Sequence, residues 1–240
     1  MQVTFSTLLK GAKVLKSAGT VSHKFNSLVD TCSAGTDQFA SSMIFGVDTN
    51  KDGNPDFNAE FLGGITKINR SNPMDDSVNF PGLRMVDGHL DVIDTNMISV
   101  NIPGKEGSVT AGWTIRIGTD QGVASPSLGA IAEQASNSFL ADSFFNVIFE
   151  IDGTPFGTVH NNHFLKVVSV IDRVPPIQRY VADQTNLPLR IYDEQDNWVA
   201  NLTDPLGGGN AHHDPLPEPA SLLLLGSGLG LLAYRRRKAA

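Results

Sequence analysis

The chain holds a single cysteine, Cys32, in 240 residues. One thiol cannot form an internal disulfide, so no covalent framework staples this protein and its stability must come from packing. Cys32 is best read as a small, semi-buried side chain. Charge is also sparse: 18% of residues are charged, with a net of −7. Setting aside four cations crowded near the C-terminus makes the remainder −11. A body that acidic excludes nucleic acid as a partner and suits solubility or cation binding. Catalytic signatures are missing as well. There is no G-x-S-x-G elbow, no H-E-x-x-H pair, no Walker loop and no dinucleotide fingerprint. The expectation is a non-enzymatic protein. A secreted hydrolase is the alternative, because paired carboxylates leave no mark in sequence.

The N-terminus lacks a long apolar run. Between Met1 and Thr20, Lys10, Lys13 and Lys16 interrupt each hydrophobic stretch, so no cleavable signal peptide is evident. Phe5, Leu8, Leu9 and Leu15 have the spacing of a short amphipathic helix. The expectation is a true start upstream of Met1.

The C-terminus has what the N-terminus lacks. Pro217-Glu218-Pro219 leads directly into an apolar stretch from Ala220 to Tyr234, followed by Arg235, Arg236, Arg237 and Lys238. As a helix these fifteen residues span about 22 Å. That is barely enough for a hydrocarbon core of about 30 Å, with Tyr234 at the interface and the basic residues reaching headgroups. Gly226, Gly228 and Gly230 weaken the helix further, which suits a transient anchor. The positive-inside rule keeps the cations cytoplasmic and puts residues 1–219 on the far side. This layout resembles the PEP-CTERM sorting signal of Gram-negative bacteria. The resemblance implies recognition by an exosortase, a membrane enzyme, with processing near Pro217–Pro219. It also implies export through the inner membrane and association with extracellular polysaccharide.

Before the tail, the texture is β. Short runs rich in Val, Ile and Phe recur between turn formers: Met43–Val47, Gly64–Ile68, Leu90–Ile93, Met97–Ile102, Ser108–Gly118, Phe144–Ile151, Thr158–His160, Phe164–Ile171, Leu189–Tyr192 and Trp198–Asn201. Trp113, Ile115 and Ile117 share one face of a strand, as do Phe145, Val147 and Phe149. Asp152-Gly153-Thr154-Pro155 marks a hairpin turn. Leu128–Ser136 is the one interior stretch that reads as a helix. The predicted fold is mainly β, an antiparallel β-sandwich whose order, jelly-roll or immunoglobulin-like, stays open, plus the C-terminal transmembrane sorting helix. Predicted boundaries are a lead-in over 1–40, the sandwich over 41–203, a flexible tether over 204–216 and the sorting signal over 217–240. Gly207-Gly208-Gly209 and His212-His213 place the tether in solvent.

One loop stands out chemically. Asp48, Asn50, Asp52 and Asp56 occupy positions 1, 3, 5 and 9 of a run with Gly53 at position 6. Alternate oxygens around a tight turn can converge on a hard cation, so the segment predicts calcium as a cofactor. The position-12 carboxylate is displaced by one, to Glu60. The same residues also make an ordinary acidic turn. His160 and His163 read as a polar hairpin end, and Asp75, Asp76, Asp87, Asp91 and Asp94 as solvated acids. Two functions follow: an exported surface or matrix structural protein, or a lectin-like module in which an exposed Trp198 stacks on a sugar.

Overall fold

The computed structural model describes residues 32–73, 92–134 and 137–216, together with a two-residue strand, β1 (His23–Lys24). Three long strands are continuous: β2 (Gly35–Asp48), β3 (Phe57–Arg70) and β4 (Val92–Pro103). The other wall positions are each split in two. β5 (Thr114–Ile117) continues as β6 (Ser127–Gln134), and β7 (Asn137–Val147) as β8 (Phe149–Thr154). β9 (Gly157–His160) continues as β10 (Leu165–Ile171). β12 (Tyr180–Ala182) and β13 (Leu189–Asp193) form one position, and β14 (Trp198–Thr203) and β15 (His212–Leu216) another. β11 (Arg173–Val174) lies aside and pairs with β1.

The pairings close. One circuit runs β2-β3-β4-β5-β8-β9-β13-β14 and returns to β2. The second runs β2-β3-β4-β6-β7-β10-β12-β15 and also returns to β2. The half-strands abut end to end. β2 pairs with β15 through Ala40–Ile44 and with β14 through Gly46–Asp48. β4 likewise meets β6 through Val92–Met97 and β5 through Val100–Pro103. The two faces expected of a sandwich therefore belong to one antiparallel sheet closed on itself, and every strand position of the ring has a partner on each side.

Period-two alternation explains which way the walls face. Phe145, Val147 and Phe149 point inward and are buried, and the alternation survives the break between β7 and β8. Phe45 stacks on Phe61 at 5.7 Å and on Phe149 at 6.4 Å, and these rings join Ile102, Ile115 and Ile117 in one core. At the break itself side chains replace the ladder. Ser127 Oγ accepts from Ile148 N at 3.0 Å and donates to Ile148 O at 3.2 Å. On the other side, Asn161 Oδ1 accepts from Phe149 N at 2.7 Å while its Nδ2 donates to Val147 O at 2.9 Å. A buried interruption is tolerated because none of these backbone groups is left unpaired.

Four expectations change. The helix expected over Leu128–Ser136 is replaced, over its described residues, by strand β6 (Ser127–Gln134), paired with both β4 and β7. Ile131 faces the main core and Ala130 and Ala132 pack on the opposite side. A strand buried on both faces loses its alternation and can mimic a helical pattern. The lead-in over 1–40 is too long, since β2 begins at Gly35 and Cys32 is buried in the core. Its polar inward positions disguised it. Asp37 is held by Arg70 at 2.7 Å and Ser41 bonds Thr66 at 2.6 Å. The tether over 204–216 is also corrected, because His212–Leu216 is the strand that bridges β12 to β2. Finally, the hairpin turn falls on Pro155-Phe156 rather than two residues earlier, with Thr154 paired to Gly157.

Candidate functional site

The acidic turn joins β2 to β3 at one end of the ring, and it is built around two carboxylates. Asp48 is fully buried. Its Oδ1 accepts from Lys51 N at 2.6 Å and Asp52 N at 3.2 Å, and its Oδ2 from Gly53 N at 3.0 Å and Asn201 Nδ2 at 2.9 Å. Burial works to raise this carboxyl, but the donors from Asn201, Gly53, Lys51 and Asp52 outweigh it and hold it below the usual carboxylate range. Asp56 accepts from the Thr49 hydroxyl at 2.6 Å, the Thr49 amide at 2.7 Å, and Asn50 through both its amide and side chain. Those bonds, led by the Thr49 hydroxyl, lower its pKa as well. Asn50 and Asp52 accept from Asp52 N at 2.9 Å and Asn54 N at 2.8 Å.

Four of the five residues expected to hold calcium are thus brought together, and their oxygens serve the turn's own donors. Glu60 is not with them. It sits on β3, ion-paired with Lys105 at 2.5 Å, because the strand has already left the turn. Among the described residues, no group of three or more His, Cys, Asp and Glu side chains is placed to hold a metal ion.

Trp198 is 37% exposed, as its polar neighbourhood suggested, but its ring is occupied. Lys51 Nζ lies 4.7 Å and Arg190 Cζ 4.5 Å from its centroid, and its Nε1 donates to Ala200 O at 3.0 Å. These cations take up the indole face on which a sugar would stack. Trp113 is partly buried against the core, edge-on to Phe57 at 6.2 Å. The histidines divide. His160 Nε2 lies 3.2 Å from Asp196 and His163 Nδ1 2.8 Å from Asn162, so the pair does not converge. His213, expected in solvent, points into the barrel beside Thr66 and Phe39. Burial pushes its pKa down to about 4, against a smaller opposing pull from Asp214 and a further lowering by His212. Of the acidic run, Asp94 lies on β4, and Asp75, Asp76, Asp87 and Asp91 lie outside the described residues.

The last strand leads directly into the segment that carries the chain's destination. β15 ends at Leu216, and the Pro-Glu-Pro segment begins at the next residue. Residues 215–238 match the PEP-CTERM protein-sorting motif. The PEP-CTERM motif indicates export across the inner membrane to the cell envelope or surface and recognition by an exosortase. Pro217, Glu218, Pro219, the segment 220–234 expected to cross the membrane and the basic stop Arg235–Lys238 lie outside the described residues. The PEP-CTERM match nevertheless starts on Pro215 of β15, so the motif is rooted in the barrel wall rather than hung from a tether. No curated protein matches the chain. Among solved structures, DynF from the dynemicin biosynthesis pathway of Micromonospora chersina has a similar fold. The TM-score is 0.59 at 16% identity, covering 85% of this chain and 89% of that one.

Sequence reasoning missed Asn201, the partner that neutralises the burial of Asp48. It also missed the inward turn of His213. Neither leaves a local signal, since each depends on which strands become neighbours.

Proposed function

We propose that this chain is a non-enzymatic structural protein of the bacterial surface or extracellular matrix, delivered by the PEP-CTERM route. The observation that carries this reading is the closed ring. A sheet whose positions are all paired on both sides resists edge-to-edge aggregation and tolerates exposure to an uncontrolled medium. The disposition of charge supports it. Arg116 bridges Glu150 at 2.7 Å and Asp152 at 2.5 Å across β5 and β8, and Arg179 holds Asp214 at 2.7 Å. These carboxylates brace neighbouring strands instead of facing each other across a cleft, as a hydrolytic pair would.

The test is localisation with a matrix readout, in an exosortase-bearing host that carries the full gene with its native upstream DNA. Wild type is expected in the extracellular polysaccharide fraction, and deletion of the gene is expected to weaken the matrix mechanically. Pro217→Ala with Glu218→Ala leaves the protein unprocessed in the membrane. Replacing Arg235, Arg236 and Arg237 with Ser misroutes it, because each charge resists crossing the bilayer. Unchanged location and mature mass in both variants would overturn the sorting step. An unaltered matrix in the deletion strain would overturn the structural role.

A further inference from the structure

We propose that the end of the barrel between the acidic turn and the β8–β9 hairpin binds a small, uncharged, apolar molecule, either one aromatic ring or the end of a hydrocarbon chain. An eight-position barrel encloses a space just wide enough to be filled by side chains or to hold one small ligand. Here it does both. Most of the interior is packed, but at this end a cavity of about 170 Å³ remains. A cavity of about 150 Å³ lined by Leu, Ile and Phe accepts a single benzene ring, which sets the size of the guest.

The lining specifies its chemistry. Phe45 and Leu202 stand at the inner end, where they also border a smaller void of about 30 Å³. Ile151, Ile191 and Val199 contribute further apolar wall. The three polar residues of the lining are already engaged. Thr49 Oγ1 donates to Asp56 at 2.6 Å. Thr154 Oγ1 donates to Gly157 O at 2.6 Å and accepts from Phe156 N at 3.1 Å. Asn201 donates to Asp48, and its Oδ1 accepts from Trp198 Nε1 at 3.1 Å. A sugar hydroxyl or a carboxylate entering this space would lose its water and find few open partners. An apolar guest gives up no hydrogen bonds on entry and gains contact with the apolar walls.

The hairpin tip gives independent support. Two-residue hairpin loops favour Gly, Asn and Asp, yet Pro155-Phe156 occupies this one. Phe156 is 45% exposed and lines the cavity mouth. A large ring left half in water at a turn, and beside an apolar cavity, is accounted for by a guest that covers it. For a protein exported into water, such a site holds a molecule of low aqueous solubility. The inference goes beyond the structural role and does not depend on it.

The test titrates the full chain, in one detergent throughout, with the uncharged fluorophore N-phenyl-1-naphthylamine. Wild type is expected to show saturable, one-to-one, blue-shifted emission. Val199→Phe, which fills the cavity, is expected to bind about tenfold more weakly or worse, as lost cavity volume and contacts dictate. Phe156→Ser changes a surface residue, so it keeps the wild-type melting temperature while weakening binding severalfold, and it carries the test if Val199→Phe fails to fold. Dodecanol should displace the probe and maltose should not. Equal emission from all three proteins, meaning partition into micelles alone, would overturn the proposal, as would displacement by maltose.

Discussion

Asp48 and Asn201 stand 153 residues apart in sequence, and their side chains meet at 2.9 Å where β2 pairs with β14. The contact ties the acidic turn to the strand that closes the ring. Asn201→Leu should therefore cost about 2–4 kcal/mol, because it leaves a buried carboxylate short of a donor. Asp48 titrates below the ordinary carboxylate range, so its contribution is complete above pH about 4 and is lost as pH falls through its folded value. Losing the Asn201 donor raises that value. Urea melts of the variant should show a smaller and shallower loss of stability below pH about 4 than wild type, because its folded and unfolded values lie closer together. A variant as stable as wild type, with the same acid limb, would show that the bond contributes nothing.

Gly46 lies where β2 crosses from β15 to β14. A β-carbon there would stand 2.2 Å from Asp204 O and 2.7 Å from Pro55 Cβ, so backbone has to move. Gly46→Ala is expected to cost roughly 1–3 kcal/mol or more by overpacking. At Gly53, φ is +91° but the space is open, and Gly53→Ala should cost only about 1–2 kcal/mol of backbone strain. Thermal melts should rank Gly46→Ala below Gly53→Ala, and the reverse order would contradict the close approach.

His213 predicts a pH dependence of its own. Its folded pKa of about 4 lies below the unfolded 6.5, so between those values the unfolded chain binds more protons. Stability should be full above pH about 6.5 and fall by about 3 kcal/mol as pH drops toward 4. His213→Phe should flatten the slope between pH 4.5 and 7 in urea denaturation. An unchanged slope would place the proton elsewhere.

The calcium expectation meets a specific obstacle. Asp48 and Asp56 each already accept four hydrogen bonds, and Glu60 is paired with Lys105. A cation would need several oxygens at once and would have to displace donors that the turn needs. Millimolar Ca²⁺ should therefore leave the melting temperature within about 1 °C of the chelator control, well under the 2–4 °C that accompany 1 kcal/mol in a domain this size. A calcium-specific rise that Asp52→Ala removes would restore the metal site.

Much of the wall was legible because period-two alternation is a local property. Ile115 and Ile117, or Phe145, Val147 and Phe149, declare a strand and its buried face without reference to any partner, whereas Trp113 falls just before β5 and is only partly buried. The sorting address was equally plain, since a short linear motif is read as an extended string and needs no fold around it. Partnership was not legible. Whether Leu128–Gln134 becomes helix or strand depends on β4 and β7 lying on either side of it. Whether His212–Leu216 swings free or closes the ring depends on open edges of β2 and β12 waiting for it. The acidic turn shows the same division. Its residue types follow from turn chemistry, but the donor that meets Asp48 from across the ring is Asn201, which only closure of the barrel carries there. Sequence alone determined local geometry and destination; long-range pairing, with the desolvation that comes with it, decided what each polar group touches.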